Sequence, residues 1–360
     1  MEKVKIGVLG AGAISGIYFK NLTGMFQETE VVAVCDVFRE KAEAASREYG
    51  IPKVYDTMEE MLEDQDIEII LNLTRPKEHY QTTKAALLAG KHVYSEKPLA
   101  AVYEQGKELA ELAEERGLLL GGAPDTFMGA GIQTCRKLIE DGFIGEVIGA
   151  EARMVCHGHE SWHPSPEFYY QSGGGPMMDM GPYYLTALVY LVGRVKGLSG
   201  MTGRGFEQRV ITSEPKKGTV IDVEVPTYTT GLLRFENGAI GTVLTTFDVY
   251  YDQQAFLEIY GTKGTLRVPD PNTFDGTIQL YRPENGSFCE MPLLFEYKEN
   301  SRGIGVADMA RALRNKSSFR ADVQQTLHVL EILTAFEKSS REGNYLELES
   351  CYERYASGSF

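Results

Sequence analysis

The sequence has few cysteines, a single tryptophan and no long hydrophobic run. Its cysteines form no Cys-x-x-Cys pair, which argues against a disulfide framework or a zinc site and is typical of reduced cytoplasmic thiols. They are Cys35, Cys135, Cys156, Cys289 and Cys351. The longest apolar run, residues 184–192, is far below the ~20 residues of a membrane span, and the N-terminus leads into an apolar strand without the features of a signal peptide. We therefore expect a cytoplasmic protein without a membrane span and without a bound metal.

Positive charge is also scarce, because 36 lysines and arginines stand against 51 aspartates and glutamates and give a formal net charge of -15. Such a surface repels phosphate backbones and anionic lipids, so neither nucleic acid nor a membrane is expected as a partner. Length and apolar content are ample. The 360 residues predict about two domains, and 43% hydrophobic residues suffice for packed cores.

The first fifteen residues have the pattern of a dinucleotide-binding turn. An apolar strand, residues 3–9, runs directly into Gly10-Ala11-Gly12-Ala13-Ile14 and then into a segment with helical periodicity. Such a turn needs a tight bend at Gly10, a bare backbone at Gly12 and a helix N-terminus that faces the pyrophosphate. Ser15 stands where glycine or alanine is usual. We assign cofactor binding to Gly10, Gly12, Ala13 and Ile14.

Asp36 ends the next strand, 26 residues after Gly10, close to where such folds place the acidic residue that accepts from the ribose hydroxyls. A carboxylate there repels a 2′-phosphate, which favours NAD over NADP. Arg39 is a further cofactor-binding candidate that keeps the phosphate form possible. Asp36 could instead cap the following helix, and the two roles are compatible.

Strand and helix signals alternate with short connections over the first third of the chain. This pattern predicts a parallel sheet with helices on both faces and ligands beyond the carboxyl ends of the strands. Glu96, Lys97 and Pro98 follow one such strand. A lysine beside the nicotinamide and partly desolvated would have a lowered pKa, suited to proton transfer. On chemistry alone a solvated surface lysine is the commoner interpretation.

Together these and later motifs resemble the Gfo/Idh/MocA oxidoreductases, the glucose-fructose oxidoreductase and inositol dehydrogenase family. The similarity spans nearly the whole chain, and it is specific because the motifs occur together in this order. The matching residues are Gly10 and Gly12, Thr74, Pro76 and His79, the run Ala89-Gly90-Lys91-His92-Val93-Tyr94-Ser95-Glu96-Lys97-Pro98, and the run Gly173-Gly174-Gly175-Pro176-Met177-Met178-Asp179-Met180-Gly181.

The resemblance implies an α/β protein with an N-terminal Rossmann domain, residues 1–122, whose doubly wound parallel sheet binds NAD. It implies a C-terminal α+β domain, residues 123–360, with an open, mostly antiparallel sheet that binds substrate and forms a homodimer or homotetramer. It adds Thr74, Pro76, His79, Glu96 and Lys97 to the cofactor-binding residues.

The second half of the sequence supports an antiparallel sheet independently. Alternating residues 229–235 and 239–244 flank Glu236-Asn237-Gly238, which is a strong hairpin signal. Further strands are predicted at 255–260, 265–268 and 278–281. A long last helix is predicted from residues 318–322 to about residue 341.

A loop at residues 156–164 holds three of the six histidines and the only tryptophan. It could be a surface loop held by aromatic packing, or a metal site, although two nearby histidines need further converging ligands. A sugar-binding lid fits better, with rings for apolar sugar faces and imidazoles for hydroxyls. The substrate-binding candidates are His157, His159, Trp162 and His163. Asp125 could bind sugar hydroxyls or cap a helix that starts near Gly129.

Tyr183 is the main departure from the family pattern, which places a catalytic histidine four residues after Asp179. Residues at that spacing share a helix face, so Asp179 and Tyr183 are predicted to point together into the cleft. The catalytic candidates are therefore Lys97, Asp179 and Tyr183. Three alternatives stay open: Lys97 alone is the acid/base, His163 reaches in, or Tyr183 is a core residue.

These observations predict an NAD-dependent enzyme that moves a hydride between a secondary alcohol of a sugar, glycoside or cyclic polyol and the nicotinamide. One alternative is a redox-neutral glycosidase, epimerase or lyase that oxidises its substrate transiently on bound NAD. Another is a non-catalytic NAD-binding regulator.

Overall fold

A computed structural model of the protein describes residues 2–250 and 256–353. The chain divides into two compact units, one formed by the residues up to Met128 with Asn300–Leu330, the other by Gly129–Glu299 and the chain from Glu331 onward. The sequence-based division instead keeps residues 300–330 with the second half. Long-range polar contacts attach this segment to the first unit: Arg314 pairs with Glu68 at 2.6 Å, and Asn21 donates to the carbonyls of residues 300 and 302. The functional division at residue 122 stays a prediction.

The first unit is built on a six-stranded sheet whose paired strands are all parallel, in the order β3-β2-β1-β4-β5-β6. Its strands are β1 (Val4–Leu9), β2 (Thr29–Cys35), β3 (Lys53–Tyr55), β4 (Ile69–Asn72), β5 (His92–Ser95) and β6 (Leu120–Gly122). Its first helices are α1 (Ser15–Gly24), α2 (Arg39–Tyr49), α3 (Met58–Glu63), α4 (His79–Leu88) and α5 (Tyr103–Glu115). The strand order reverses between β1 and β4, and doubly wound sheets bind ligands beyond the carboxyl ends of the strands at such a point. The predicted fold of this half is confirmed.

The second unit contains a nine-stranded, mostly antiparallel sheet and a two-stranded antiparallel ribbon. Its strands up to residue 291 are β7 (Val147–Val155), β8 (Val195–Gly203), β9 (Gln208–Val210), β10 (Val220–Asp222), β11 (Tyr228–Phe235), β12 (Ile240–Thr246), β13 (Phe256–Gly261), β14 (Thr265–Val268), β15 (Ile278–Tyr281) and β16 (Phe288–Met291). Its helices up to that residue are α6 (Ala130–Glu140), α7 (Pro176–Asp179) and α8 (Gly181–Leu191). The ribbon consists of β9 and β10.

The chain then continues through α9 (Ile304–Asn315), α10 (Val323–Glu342) and β17 (Leu346–Glu347). The order of the nine-stranded sheet is β16-β15-β14-β13-β7-β12-β11-β8-β17, and only the β7 and β12 neighbours are parallel. The predicted open, mostly antiparallel sheet is therefore confirmed.

The predicted hairpin is present as β11 and β12, which pair antiparallel with Leu232 opposite Thr242. Ala255, the first residue of the strand predicted at 255–260, lies outside the described residues, and its remainder lies in β13. The long helix is confirmed as α10. Asp322 precedes α10, and its carboxylate accepts from the amide of Gln325 at 3.0 Å, which satisfies one of the free amides of the first turn.

Candidate active site

The glycine turn after β1 has the geometry that a dinucleotide requires. Gly10 has φ +101°, and a Cβ there would lie 2.6 Å from the carbonyl oxygen of Leu73, so only glycine fits. Gly12 is exposed, and no heavy atom lies within 4 Å of where its Cβ would be. The backbone at Gly12 is therefore open to a bound group at the start of α1.

Ser15, the residue that departs from the glycine pattern, is buried at the first position of α1. Its hydroxyl donates to the carbonyl of Gly12 at 2.8 Å. The serine therefore stabilises the turn from inside. Ala13 and Ile14 stay exposed, and no acidic residue occupies the first turn of α1, so the helix N-terminus suits a phosphate.

Asp36 follows β2, and its carboxylate accepts from the amides of Ala11 at 2.7 Å and Phe38 at 2.8 Å. It thus links the glycine turn to the start of α2, while its half-exposed position leaves further lone pairs for ribose hydroxyls. Arg39 pairs with Glu43 at 2.8 Å and also with Asp56. The guanidinium of Arg39, which the sequence analysis considered for a 2′-phosphate, is therefore engaged with carboxylates. These residues fit NAD.

Thr74, Pro76 and His79 follow the carboxyl end of β4. Asn72, which the sequence analysis did not single out, accepts from both the amide and the hydroxyl of Thr74. His79 is fully buried, and its ring nitrogens face the carbonyls of Pro98 at 2.7 Å and Thr74 at 2.9 Å. Burial lowers the pKa of His79. Its ring therefore holds the segments after β4 and β5 together.

Glu96 and Lys97 lie directly after β5, and both are half-buried. The Glu96 carboxylate accepts from the amide of Lys97 at 2.9 Å and from the hydroxyl of Tyr18 at 2.8 Å. Tyr18 comes from α1 and is fully buried. Glu96 therefore fixes the backbone on which Lys97 stands. The sequence analysis missed Tyr18, because no local pattern links α1 to the end of β5.

Asp125 has a different role from the predicted binding of sugar hydroxyls. It is 1% exposed, and its Oδ2 accepts from the amides of Gly303 at 2.8 Å and Gly305 at 3.1 Å. The carboxylate therefore caps α9, not the helix that follows Gly129. Burial, the largest cause, raises the pKa of Asp125 to about 6.

The raised pKa of Asp125 predicts how stability depends on pH. The ordinary pKa of Asp125 is 3.8, and its pKa in the native protein is about 6. Between these two pH values the carboxyl group is protonated in the native protein and ionised in the unfolded chain. The contribution of Asp125 to the free energy of unfolding is therefore largest below pH ~4. It falls by roughly 3 kcal/mol as the pH rises through ~6. Asp125→Asn does not titrate, so the parent's stability relative to this variant should fall by that amount between pH 4 and pH 7.

Urea denaturation at four pH values across this range measures the difference. The exposed Asp222→Asn is the control, because its carboxylate accepts only a side-chain amide at the surface. A parent-to-variant difference at Asp125 that does not change with pH would contradict the assignment.

Asp179 and Tyr183 lie on two successive helices and not on one continuous helix, and their shared orientation into the cleft stays a prediction. Asp179 is the last residue of α7, and α8 begins at Gly181. The amide of Tyr183 donates to the carbonyl of Met180 at 3.1 Å. Pro182 lacks an amide proton and is tolerated only in the first turn of a helix, which explains the restart. Every residue of α8, including Tyr183, is buried.

The loop at residues 156–164 is packed by aromatic rings. The rings of Trp162, Tyr169 and Phe247 contact the imidazole of His159 with centroids 4.1–5.2 Å apart. Trp162 nevertheless keeps 61% of its surface exposed. His159 Nε2 lies 3.5 Å from Asp179 Oδ2. The loop therefore brings one predicted substrate-binding residue to one predicted catalytic residue.

The other two histidines of this loop have different surroundings. His157 stacks on Tyr250 with centroids 3.7 Å apart, and Nδ1 of His163 accepts from the amide of Ser165 at 3.0 Å. Burial is the largest cause that lowers the pKa of both imidazoles. Both rings are therefore neutral at physiological pH, and each can both donate and accept a hydrogen bond.

A buried ionic cluster beneath the loop was missed by the sequence analysis. Arg209 from β9 binds the carboxylates of Glu160 and Asp248, and it donates to the carbonyls of His157 at 2.7 Å and Phe247 at 3.1 Å. Tyr170 donates to Glu160 at 2.6 Å. Because these residues lie far apart in the chain, no spacing in the sequence indicates the cluster.

Two other features are absent from the described ranges, 2–250 and 256–353. No group of three or more histidine, cysteine, aspartate or glutamate side chains there is arranged to hold a metal ion. No helix in these ranges has the length and apolar character needed to cross a membrane.

Two family models match the chain in succession. Residues 4–122 match the model described as oxidoreductase family, NAD-binding Rossmann fold. Residues 132–267 match the model described as GFO/IDH/MocA C-terminal domain. The first match covers the unit that carries the glycine turn and Asp36.

Individual proteins match over most of their length. D-glucoside 3-dehydrogenase of Escherichia coli K12 is 24% identical over 355 residues, 96% of this chain and 97% of that enzyme. Myo-inositol 2-dehydrogenase of Thermotoga maritima is 23% identical over 317 residues, 88% and 89% of the two chains. A structure of levoglucosan dehydrogenase with NADH and levoglucosan has a TM-score of 0.83 and 20% identity, and covers 97% of this chain and 100% of its own. With both family models matched in order, this chain belongs to the Gfo/Idh/MocA family of NAD-binding oxidoreductases.

Proposed function

We propose that the protein is an NAD-dependent dehydrogenase that oxidises a secondary alcohol of a sugar, glycoside or cyclic polyol. The observation that carries this proposal is Lys97, half-buried after β5 in the NAD-binding unit, on a backbone fixed by Glu96 and His79. The similar dehydrogenases that act on a glucoside, on inositol and on levoglucosan support the substrate class.

NAD supplies a hydride acceptor when bound. The protein contributes orientation and proton transfer: Lys97 takes the hydroxyl proton, with Asp179 and Tyr183 as its partners. Gly10, Gly12, Ala13 and Ile14 hold the pyrophosphate, and Asp36 binds the ribose. Thr74, Pro76 and Glu96 line the cofactor, whereas His79 positions them from the core. His157, His159, Trp162 and His163 bind the substrate.

A substrate panel with NAD and NADP tested separately examines this proposal. D-glucosides, levoglucosan, myo-inositol and simple sugars are mixed with the protein, and absorbance of the reduced nicotinamide is followed. Net reduction of NAD by a panel compound supports the dehydrogenase. Turnover of a compound with NAD retained and no net NADH indicates a redox-neutral enzyme instead. NAD binding without turnover of any compound indicates a regulator.

Cofactor preference tests the role of Asp36. Asp36→Ser removes the charge that repels a 2′-phosphate but keeps a hydroxyl that can accept from Ala11. We expect the ratio of kcat/KM for NAD to that for NADP to fall by about tenfold or more, since a close like charge is worth on the order of 1–2 kcal/mol. Glu48→Gln, an exposed change near the end of α2, is the control. A parent that prefers NADP would contradict the role given to Asp36.

We also propose that the protein is a cytoplasmic homodimer or homotetramer, joined through the nine-stranded sheet. Met201, Leu232 and Ile240 are exposed apolar residues on β8, β11 and β12, and the register places Met201 and Leu232 on one face. An exposed apolar patch of this kind favours association. All five cysteines are free, as expected in a reducing compartment.

A further inference from the structure

His159 and Asp179 form a close pair within the second compact unit. His159 Nε2 is 3.5 Å from Asp179 Oδ2, and their side chains are 12% and 21% exposed. Nε2 itself is shielded from solvent and makes no hydrogen bond to any described residue. A buried polar nitrogen without a hydrogen bond is costly, so such an atom aimed at a carboxylate calls for a functional explanation.

The ring of His159 is held in this position from several sides. Trp162 and Phe247 meet it edge-on, at 5.2 and 4.7 Å between centroids, and Tyr169 lies at 4.1 Å. The amide of His163 donates to the carbonyl of His159 at 2.9 Å. The next residue, Glu160, is fixed by Arg209 and Tyr170. The imidazole is therefore oriented before any substrate binds.

Tyr183 can donate a hydrogen bond in the site, but it cannot take up the proton that the usual histidine accepts. A phenol is protonated at neutral pH and cannot accept a further proton, whereas a neutral imidazole can. Tyr183 also lies in a helix that is buried over its whole length, and that helix restarts after Asp179. A second group that can accept a proton beside Asp179 therefore has to come from another segment of the chain.

His159 is also the best placed of the three loop histidines. His163 already uses Nδ1 to accept from Ser165, and His157 stacks on Tyr250 on the side of the loop near Arg209. The titratable groups that face His159 are Asp179, His163 and the phenol-bearing ring of Tyr169.

We propose that His159 takes the place of the missing helical histidine and that Asp179 relays the substrate's hydroxyl proton to it. This inference rests on the proposed function. As the carbonyl forms, the O–H bond breaks, and the carbinol hydrogen leaves with its electron pair for the nicotinamide. The released proton, once on Oδ2 of Asp179, passes to Nε2 of His159, which leaves an imidazolium beside a carboxylate. The 3.5 Å gap shortens to a hydrogen bond in this step, as catalytic contacts commonly do when substrate binds.

Nuclear magnetic resonance tests the pairing without any substrate. In protein labelled with ¹⁵N-histidine, Asp179→Asn should move the Nε2 resonance of His159 more than those of the other five histidines. Asp222→Asn, an equivalent change on the exposed strand β10, should leave it in place. An unmoved His159 resonance in Asp179→Asn would overturn the pairing.

Kinetics test the relay with the panel compound that the parent oxidises fastest. His159→Gln keeps an N–H that can donate to Asp179 but cannot carry the proton, so kcat should fall by about 100-fold or more with little change in KM. The kcat of His159→Phe should fall by the same factor. Ser161→Ala, an exposed change in the same loop, should behave as the parent.

The outcomes separate this inference from the proposed function. Recovery of activity in His159→Gln but not in His159→Phe would show that the side chain only positions Asp179, and would overturn the relay. Activity of both variants within about threefold of the parent would overturn it as well. If the parent oxidises no panel compound, the proposed function fails, while the resonance experiment still decides whether His159 and Asp179 are paired.

Discussion

Lys97→Met should lower kcat by about 1,000-fold, because a general acid/base contributes on the order of 100- to 10,000-fold. Methionine keeps an unbranched apolar stem of similar length and removes only the proton-carrying amine. Glu96 accepts from the backbone amide of residue 97, a bond that the substitution keeps, so the local backbone should be retained. The measurement is kcat on the best panel substrate, together with NADH affinity by fluorescence titration.

Lys84→Met is the matched control, since Lys84 pairs with Glu108 and Tyr80 near the surface of the same unit. It should leave both kcat and NADH affinity unchanged. A Lys97→Met variant with unaltered NADH affinity and the activity of the parent would remove Lys97 from the reaction. Loss of NADH binding together with activity would instead assign Lys97 to cofactor binding alone.

Arg209→Met should lower the free energy of unfolding of the second unit by about 3–5 kcal/mol. The Arg209 side chain is 3% exposed and joins two carboxylates that are themselves nearly buried. Removal of the guanidinium leaves Glu160 and Asp248 buried without their counter-charge, and that loss is the source of the large cost. Chemical denaturation followed by tryptophan fluorescence measures it, because the only tryptophan, Trp162, lies in the loop that Arg209 supports.

The control for Arg209 is Lys137→Met, in the same unit. Lys137 is 41% exposed and pairs with Asp141 at the end of α6, and such surface pairs contribute only about 0–1 kcal/mol. Equal costs at the two positions would contradict the structural role of the buried cluster. A large cost at Arg209 should also lower activity, since His157 and His159 belong to the same loop.

The cofactor side of the protein was the more predictable part. The glycine turn, the acidic residue after β2 and the lysine after β5 are short-range signals, because each depends on a few neighbours and on a strand that ends there. The hairpin of β11 and β12 was predictable for the same reason, since Asn237-Gly238 fits a tight turn between alternating strands. The short strands β9 and β10 were not predicted, because three residues give too little periodicity.

Side-chain roles that depend on distant partners were the less predictable part. Asp125 has the sequence context of a cleft residue, yet its carboxylate binds amides 178 and 180 residues later in the chain. The prediction that Asp179 and Tyr183 share a helix face assumed an unbroken helix, and the restart at Gly181 removes that assumption.

The sequence by itself determined the family, the cofactor class and the two kinds of sheet, because strand period, turn chemistry and motif spacing are local properties of the chain. Only the tertiary structure decided which side chains meet. Arg209 reaches Glu160 across 49 positions, and His159 lies against Asp179 from a separate loop. Such contacts join residues that are distant in the sequence and meet only when the chain folds, and no local pattern indicates them. The proposed replacement for the histidine that the helix lacks, His159, depends on such a contact and has no signal at the usual place in the sequence.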